Sequence, residues 1–248
     1  MQNKITSFLR KIPFVHRFFK FCYWKVKYFH AILLGTKINE KYWKKRHLMK
    51  GGDWGEKDEN WIVGYWKSTS HPHRRLLIET IAKYSPSSIL EIGSNCGPNL
   101  YLLAKKFPKS EIRGIDINIE AIKKGREFFK KEGISNVELI VKKADDLKYF
   151  KNKSFDVIFT DAVLIYIGKD KIRKIISEMQ RIAKKAIILV EFHYEQENIL
   201  GFYEKGFWVR NYRKLFQLLN LKTRIVKIPP NAWGGNWEER GFIIEVKL

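Results

Sequence analysis

The clearest pattern of apolar and polar positions runs through residues 88–116 and predicts a strand, a turn, a helix and a second strand. It begins with a short apolar run, broken only by Glu91, that suits a buried strand. A turn bounded by Gly93 and Gly97 follows, and apolar residues then recur at helical spacing. A second apolar run ends in Asp116. The pattern is typical of one parallel strand–helix–strand unit.

The same periodicities predict the remaining elements of the chain. Amphipathic helices are expected over residues 76–84, 118–131, 169–184 and 212–219. Strands are expected over residues 137–141, 154–161, 186–191, 223–228 and 241–247, the last two as an antiparallel pair. Residues 196–210 are expected to form a loop. The alternation of strands with helices predicts an α/β fold with a mostly parallel sheet.

The charge balance departs from that of an ordinary globular protein. The 248 residues carry 48 Lys and Arg against 26 Asp and Glu, a formal net charge of +22. This excess implies attraction to an anionic partner, such as nucleic acid, anionic lipid or an acidic glycan. A lysine-rich background composition stays open as the alternative, because the lysines are spread along the chain. Cys22 and Cys96 are far apart, which fits a reducing cytoplasm, and no cluster of cysteine and histidine predicts a metal site.

Residues 1–36 differ from the rest of the chain. They contain no acidic residue and interleave lysine and arginine with aromatic residues. Charge interrupts them too often for a bilayer span, and they lack the apolar core of a secretory signal. A helix of this composition suits an anionic membrane surface, and equally an arm packed on the domain or on a second subunit. We therefore expect a cytoplasmic protein, with peripheral attachment at the inner membrane face left open.

The turn at residues 93–97 has the features of a ligand-binding turn. Glycine tolerates φ > 0 and lets a ligand approach the backbone closely. Pro98 suits the start of the next helix, whose N-terminus directs unpaired N–H groups across the turn. An acidic residue at the end of the second strand, here Asp116, is well placed to accept hydrogen bonds from ribose hydroxyls.

This stretch resembles motif I and the following acidic loop of the class I S-adenosylmethionine-dependent methyltransferases. The usual form is a strand, (D/E)-x-G-x-G-x-G, a helix, and a second strand ending in an acid; here positions 91–97 carry EIGSNCG, with Asp116 as the second acid. Asn95 replaces the middle glycine, and asparagine is the residue after glycine that most readily adopts the left-handed conformation. A nicotinamide dinucleotide fold would need a third glycine where Pro98 stands. The resemblance covers about residues 76–248.

The resemblance implies a Rossmann-like class I methyltransferase sheet, mostly parallel with a final antiparallel hairpin, that binds S-adenosyl-L-methionine. It implies that Asp116 holds the ribose hydroxyls and that Asp145, with Asp146 as the alternative, binds the adenine amino group. Asp161 ends a predicted strand and is expected beside the transferred methyl group, because ligands of parallel sheets bind at strand carboxyl ends. The expected cofactor-binding residues are Glu91, Gly93, Ser94, Asn95, Gly97, Asp116, Ile117, Asp145, Asp146 and Asp161.

Methylation of a hydroxyl group benefits from a general base that titrates near pH 7, and histidine is the natural candidate. In order of preference, the catalytic candidates are His193 just past the fifth predicted strand, His73, and Asp161. A loop or helix-start histidine without a catalytic role is the alternative for both histidines. The base-binding motif of DNA amino-methyltransferases, (N/D/S)-P-P-(Y/F/W), does not follow Asp161, which argues against methylation of a nucleic-acid base.

Three segments are therefore expected: residues 1–36 as a basic, aromatic helical extension, residues 37–67 as a tryptophan-rich lid or acceptor segment, and residues 68–248 as the methyltransferase domain. The favoured function is O-methylation of a small molecule or of a glycan or lipid-linked saccharide near the membrane surface. Methylation of RNA or protein, and a non-catalytic basic binding module with the same fold, stay open as alternatives.

Overall fold

A computed structural model describes residues 35–49, 60–204 and 206–248, together with residues 21, 22, 25, 26, 29 and 33. Most of the predicted extension 1–36 and the middle of the segment 37–67 therefore lie outside the described residues. Within the described part of the chain, no helix combines the length and the apolar content needed to cross a membrane.

The described strands are β1 (Ser88–Ile92), β2 (Glu111–Asp116), β3 (Val137–Val141), β4 (Phe155–Asp161), β5 (Ala183–Phe192), β6 (Phe202–Glu204), β7 (Phe207–Val209), β8 (Thr223–Lys227) and β9 (Gly241–Lys247). In this part of the chain, seven strands form one sheet in the order β3-β2-β1-β4-β5-β9-β8. Strands β1 to β5 pair in parallel, whereas β9 pairs antiparallel with both β5 and β8. The predicted sheet, with its final antiparallel pair, is confirmed.

The α-helices with described bounds are α1 (Lys37–Lys44), α2 (Trp61–Lys67), α3 (Pro72–Ala82), α4 (Pro98–Lys106), α5 (Ile119–Lys131), α6 (Ile172–Ile182), α7 (Tyr212–Gln217) and α8 (Asn236–Arg240). Helix α5 begins where the sequence predicts, because the Asn118 side chain accepts hydrogen bonds from the N–H groups of Glu120 and Ala121. Helix α3 begins four residues earlier than its apolar pattern predicts, since Pro72 occupies the first turn, where the absence of an N–H costs nothing.

The sheet separates two hydrophobic layers. One face packs against α3, α4 and α5 through residues such as Leu77, Leu100 and Phe129. The other face packs against α6 and α7 through residues such as Ile176 and Tyr212. Every residue of the central strands β1 and β4 is buried, which explains their nearly continuous apolar sequences.

The prediction of a loop over residues 196–210 is wrong, because this segment contains the antiparallel hairpin β6–β7. Strands of three residues carry too little alternation to be detected from the sequence. Gly206, beside the hairpin turn, adopts a φ of 99°. The hairpin matters for the site, because it extends from the carboxyl end of β5.

The strand order places the carboxyl ends of β1, β2 and β4 at one edge of the sheet. Helices that leave β1 towards one side and β4 towards the other create a crevice at this point, where open α/β sheets bind their ligands. The candidate site lies there.

Candidate cofactor and acceptor site

The glycine turn between β1 and α4 is built from left-handed backbone conformations. Gly93, Asn95 and Gly97 have φ angles of 79°, 51° and 91°. The expected left-handed conformation of Asn95 is confirmed, and its side-chain oxygen accepts the N–H of Cys96 at 2.6 Å. A Cβ at Gly93 would lie 2.3 Å from Val163, so the turn also packs tightly against the loop after β4. The thiol of Cys96 is buried 3.5 Å from the carbonyl oxygen of Ile62.

Asp116 links the end of β2 to this turn. Its Oδ2 accepts the N–H of Asn95 at 2.8 Å, and its Oδ1 accepts the N–H of Asn118 at 2.7 Å. Burial raises the pKa of Asp116, although these backbone donors favour the ionised form. Asp116 therefore fixes the shape of the turn and also lines the cavity in front of it.

A buried polar cluster lies beneath the turn and ends at Asp161. Asn99 donates from Nδ2 to Glu91 at 2.7 Å and to Asp161 Oδ2 at 2.9 Å. Arg74 donates to Asn99 Oδ1 at 2.7 Å and lies 3.4 Å from Asp161 Oδ2. Burial raises the pKa of Glu91 to about 8. Burial also acts to raise the pKa of Asp161, but His73 and Arg74 outweigh it and hold this carboxyl below its usual range.

Two histidines extend the cluster from Asp161 towards α3. His73 Nε2 lies 3.1 Å from Asp161 Oδ2, and the Nδ1 atoms of His71 and His73 share a hydrogen bond. Burial lowers the pKa of His73, so its ring is neutral near pH 7. If Nε2–H donates to Asp161, then Nδ1 of His73 accepts from His71. His73 is thereby a positioning group for the Asp161 carboxylate.

The turn, Asp116 and Asp161 face one cavity of about 720 Å³, which lies in the usual range for ligand sites. Its lining includes six of the predicted cofactor-binding residues: Gly93, Asn95, Asp116, Ile117, Asp145 and Asp161. The rest of its lining is largely aromatic, and includes Trp43, Trp61, Tyr65, Tyr166, Tyr203, Phe207, Trp233 and Trp237.

Several of these aromatic residues belong to a continuous series of ring contacts that runs from Trp43 to His73. Trp43 meets Tyr166 with ring centroids 4.8 Å apart, and Tyr166 meets Phe207 of the hairpin at 5.7 Å. Beyond Phe207, the series continues through Phe192 to Trp237. Trp237 stacks on Trp233 at 3.9 Å, and Trp233 stacks on His73 at 3.8 Å. The apolar wall thus reaches the polar cluster at Asp161.

Helix α1 lines this cavity through residues such as Glu40 and Trp43. The Thr36 N–H and hydroxyl both donate to Asp170 Oδ1, at 3.0 and 2.9 Å. Asn39 donates to the carbonyl oxygen of Tyr166 at 2.7 Å. The Asn118 side chain donates to the carbonyl oxygen of Trp43 at 3.0 Å. The N-terminal part of the described chain is therefore attached to the loops that follow β2 and β4.

Glu191 was not predicted as a site residue, yet it organises the loop after β4. Its carboxylate, at the end of β5, accepts hydrogen bonds from the Thr160 hydroxyl and from three consecutive N–H groups, those of Val163, Leu164 and Ile165. Burial raises the pKa of Glu191 to about 7, even though these donors favour the ionised form. The only signal in the sequence is an acidic residue at the end of an otherwise apolar strand.

Several predicted site residues do not line the cavity. Glu91 on β1, and Ser94 and Gly97 in the turn itself, are absent from the cavity lining, and so is Asp146, which lies 3.7 Å from Lys142 Nζ. His193, the first candidate for a general base, is buried elsewhere. Its Nδ1 accepts the N–H of Tyr212 at 3.2 Å, and its ring packs against Phe242. The structure therefore brings Asp161 to the cavity, with His73 buried behind it as its hydrogen-bond partner, whereas neither histidine lines the cavity itself.

Comparison with known proteins identifies the class to which this fold and site belong. Residues 89–186 match the family described as methyltransferase domain. The fold is similar to that of magnesium protoporphyrin IX methyltransferase from Synechocystis PCC 6803 with bound SAH, with a TM-score of 0.60 at 13% identity over 86% of this chain and 98% of that chain.

Two curated relatives match part of the sequence. An uncharacterized protein of Haemophilus influenzae is 24% identical over 155 residues, which are 62% of this chain and 57% of that protein. The ribosomal protein L11 methyltransferase of Dictyoglomus thermophilum is 28% identical over 125 residues, which are 50% of this chain and 38% of that protein. The chain thus spans less than two thirds of the length of either relative.

Residues 89–186 therefore match a methyltransferase domain, and the fold around them is the Rossmann-like fold of solved methyltransferases.

Proposed function

We propose that this protein transfers the methyl group of S-adenosylmethionine to a hydroxyl oxygen of a small molecule, or of a glycan or lipid-linked saccharide. The observation that carries this proposal is the position of Asp161. Its buried carboxylate lines the cavity, and its partner His73 stacks on Trp233 of the aromatic lining. Hydrogen bonds to Asn99 and His73 fix its orientation.

The cofactor would lie along the carboxyl ends of β1, β2 and β4. In this proposal Gly93 and Asn95 lie against the methionyl part of the cofactor. Asp116 accepts hydrogen bonds from the ribose hydroxyls, and Asp145 accepts a hydrogen bond from the adenine amino group. These four residues line the same cavity, which supports the assignment. Asp161 is negative beside the place proposed for the sulfonium, and opposite charges attract strongly in a buried site.

The proposed reaction is a direct displacement at the methyl carbon. The acceptor oxygen forms a bond to this carbon while the sulfur–carbon bond breaks, and S-adenosylhomocysteine leaves with the bonding electron pair. The hydroxyl proton becomes strongly acidic as the oxygen is methylated, so the carboxylate of Asp161 can accept it. His73 acts through Asp161 as a positioning residue. Most of the acceleration then comes from holding the two reactants in line.

The deep burial of Asp161 favours a small acceptor group over a folded macromolecule. The described part of the segment 37–67 supplies Trp43, Trp61 and Tyr65 to the cavity lining, which supports its proposed role as a lid, and Asp161 is only 4% exposed. An aromatic wall also suits the apolar faces of rings, including those of sugars. Protein methylation is the second candidate, because one relative is a ribosomal protein L11 methyltransferase.

Attachment to an anionic membrane surface through residues 1–36 is part of the proposal. The extension has no acidic residue. Four of its described apolar side chains, those of Phe21, Val26, Phe29 and Leu33, are more than half exposed. Such a composition favours an anionic interface. Deletion of residues 2–34 should abolish pelleting with anionic liposomes at low salt, and a full-length protein that does not pellet would contradict this part.

The test of the methyl transfer uses purified protein and S-adenosylmethionine carrying a radioactive methyl group, incubated with small-molecule, lipid, polysaccharide, RNA and protein fractions. We expect the label in one of the first three fractions. We expect Asp161→Asn to lose at least about 100-fold in turnover, as for the loss of a buried charged contact worth about 3 kcal/mol, while the affinity for S-adenosylhomocysteine, which carries no sulfonium charge, changes little. Asp146→Asn, outside the cavity, is the matched control. Label in protein or RNA would favour the alternative acceptor.

A further inference from the structure

Lys171 contacts two carboxylates that belong to different parts of the fold. Its Nζ lies 2.8 Å from Oδ2 of Asp145, in the loop after β3, and 2.5 Å from Oε1 of Glu40, on α1. Oε2 of Glu40 lies 2.9 Å from Nζ of Lys143. All four side chains line the cavity. Lys171 is also the residue that immediately precedes α6, so its backbone is anchored by that helix.

These charges are less exposed than ordinary surface ion pairs. The side chains of Glu40, Asp145 and Lys171 are only 15%, 20% and 22% exposed. Burial disfavours each charged form, but the hydrogen bonds and opposite charges of the ion-pair partners outweigh it. The pKa of Glu40 and of Asp145 is therefore lowered, and that of Lys171 is raised. All three are charged near pH 7, and the surrounding solvent screens them less than it screens exposed pairs.

We propose that Lys171 is a positioning residue that couples closure of α1 to occupation of the adenine end of the cavity. This inference rests on the proposed cofactor site at Asp145. By pairing with Oδ2 of Asp145, Lys171 orients this carboxylate so that Oδ1 accepts a hydrogen bond from the adenine amino group. The same ammonium holds Glu40, and with it α1, over the bound cofactor.

Removal of the Lys171 charge therefore changes two things at once. Asp145 loses the group that orients it, which weakens adenine binding. Glu40 and Asp145 then face each other as like charges, with Lys143 as the cation that still contacts Glu40. Because like charges repel, α1 no longer gains stability when the cofactor is bound.

The test is hydrogen exchange of the full-length protein, measured with and without saturating S-adenosylhomocysteine. In the wild type, we expect the ligand to slow exchange of the amides of Lys37–Lys44 by about tenfold or more. In Lys171→Met, we expect the ligand to bind about tenfold more weakly and to protect α1 by less than about twofold. Glu40→Gln should lose the same protection with a smaller change in affinity, because Asp145 keeps Lys171.

Two control variants isolate the charge at position 171. Lys174→Met, on the exposed face of α6, should behave as the wild type. Lys171→Arg keeps the charge and should restore protection of α1, which distinguishes loss of the cation from a general disturbance of folding. Undiminished protection of α1 in Lys171→Met would overturn the coupling while leaving the cofactor site intact. Failure of the folded wild type to bind S-adenosylhomocysteine would instead remove the proposed function and the coupling together.

Discussion

Replacement of Glu191 by alanine should destabilise the protein more than most single substitutions. The carboxylate accepts from the Thr160 hydroxyl at 2.7 Å and from the N–H groups of Val163, Leu164 and Ile165 at 3.0, 2.9 and 3.0 Å. Each buried donor left without a partner costs about 1–3 kcal/mol, so leaving four donors without their acceptor amounts to about 4 kcal/mol or more. This is a large share of the total stability of a domain, which is typically about 5–15 kcal/mol.

Glu191→Gln provides a graded version of the same perturbation. Its amide oxygen can replace Oε1, which serves three donors, but its NH₂ group then faces the N–H of Ile165. We expect a loss of about 1–3 kcal/mol, as for one unsatisfied donor. The matched control is Glu127→Gln, because Glu127 forms an exposed pair with Lys124 whose loss should cost less than about 1 kcal/mol.

The assay for all three variants is the free energy of unfolding in urea. If Glu191→Ala lies within about 1 kcal/mol of Glu127→Gln, the loop after β4 does not depend on these hydrogen bonds and the reasoning fails. The loop also supplies Val163 and Ile165 to the cavity wall. We therefore expect the Gln variant, if folded, to bind S-adenosylmethionine more weakly than the control does.

Three further predictions concern the glycine turn. Asp116→Ala should weaken S-adenosylmethionine binding by about 1–3 kcal/mol in calorimetry, because polar partners are left unpaired, and an unchanged affinity would count against its proposed role. The folded pKa of Glu91, about 8, exceeds its ordinary value of 4.5, so the folded state keeps a proton that the unfolded chain releases. Wild-type stability should therefore fall as pH rises from about 4.5 to 8, and Glu91→Gln should flatten this fall in unfolding measurements at pH 5 and 9. Gly93→Ala should lower the melting temperature more than Gly133→Ala does, since both have positive φ but only a Cβ at Gly93 would meet Val163, at 2.3 Å.

The elements that depend on neighbouring residues could be predicted from the sequence. The β1–α4–β2 unit, the cap at Asn118 and the left-handed Asn95 all follow from local spacing and backbone preferences. Contacts between distant residues could not be predicted in this way. Lys171 lies 131 positions from Glu40, and Glu191 lies 26 to 31 positions from its donors. No local pattern indicates which of the many lysines and acids will meet.

The position of His193 shows a different limit of prediction from the sequence. Its place after β5 correctly indicates the carboxyl edge of the sheet, where the cavity lies. Proximity to an edge does not specify the side of the sheet to which a side chain points. Here Tyr212 and Phe242 enclose the ring, and it is Asp161, from the adjacent strand β4, that reaches the cavity.

The burial of Cys96 has a consequence for the chemistry of the turn. Its side chain has no exposed surface, and burial raises the pKa of its thiol. Since only an accessible thiolate reacts readily with alkylating agents, modification at this position must wait until the turn opens. Cys22, by contrast, is partly exposed. The rate of alkylation of Cys96 therefore reports how often the glycine turn opens. A lower rate in the presence of the cofactor would show that the bound cofactor stabilises the closed turn.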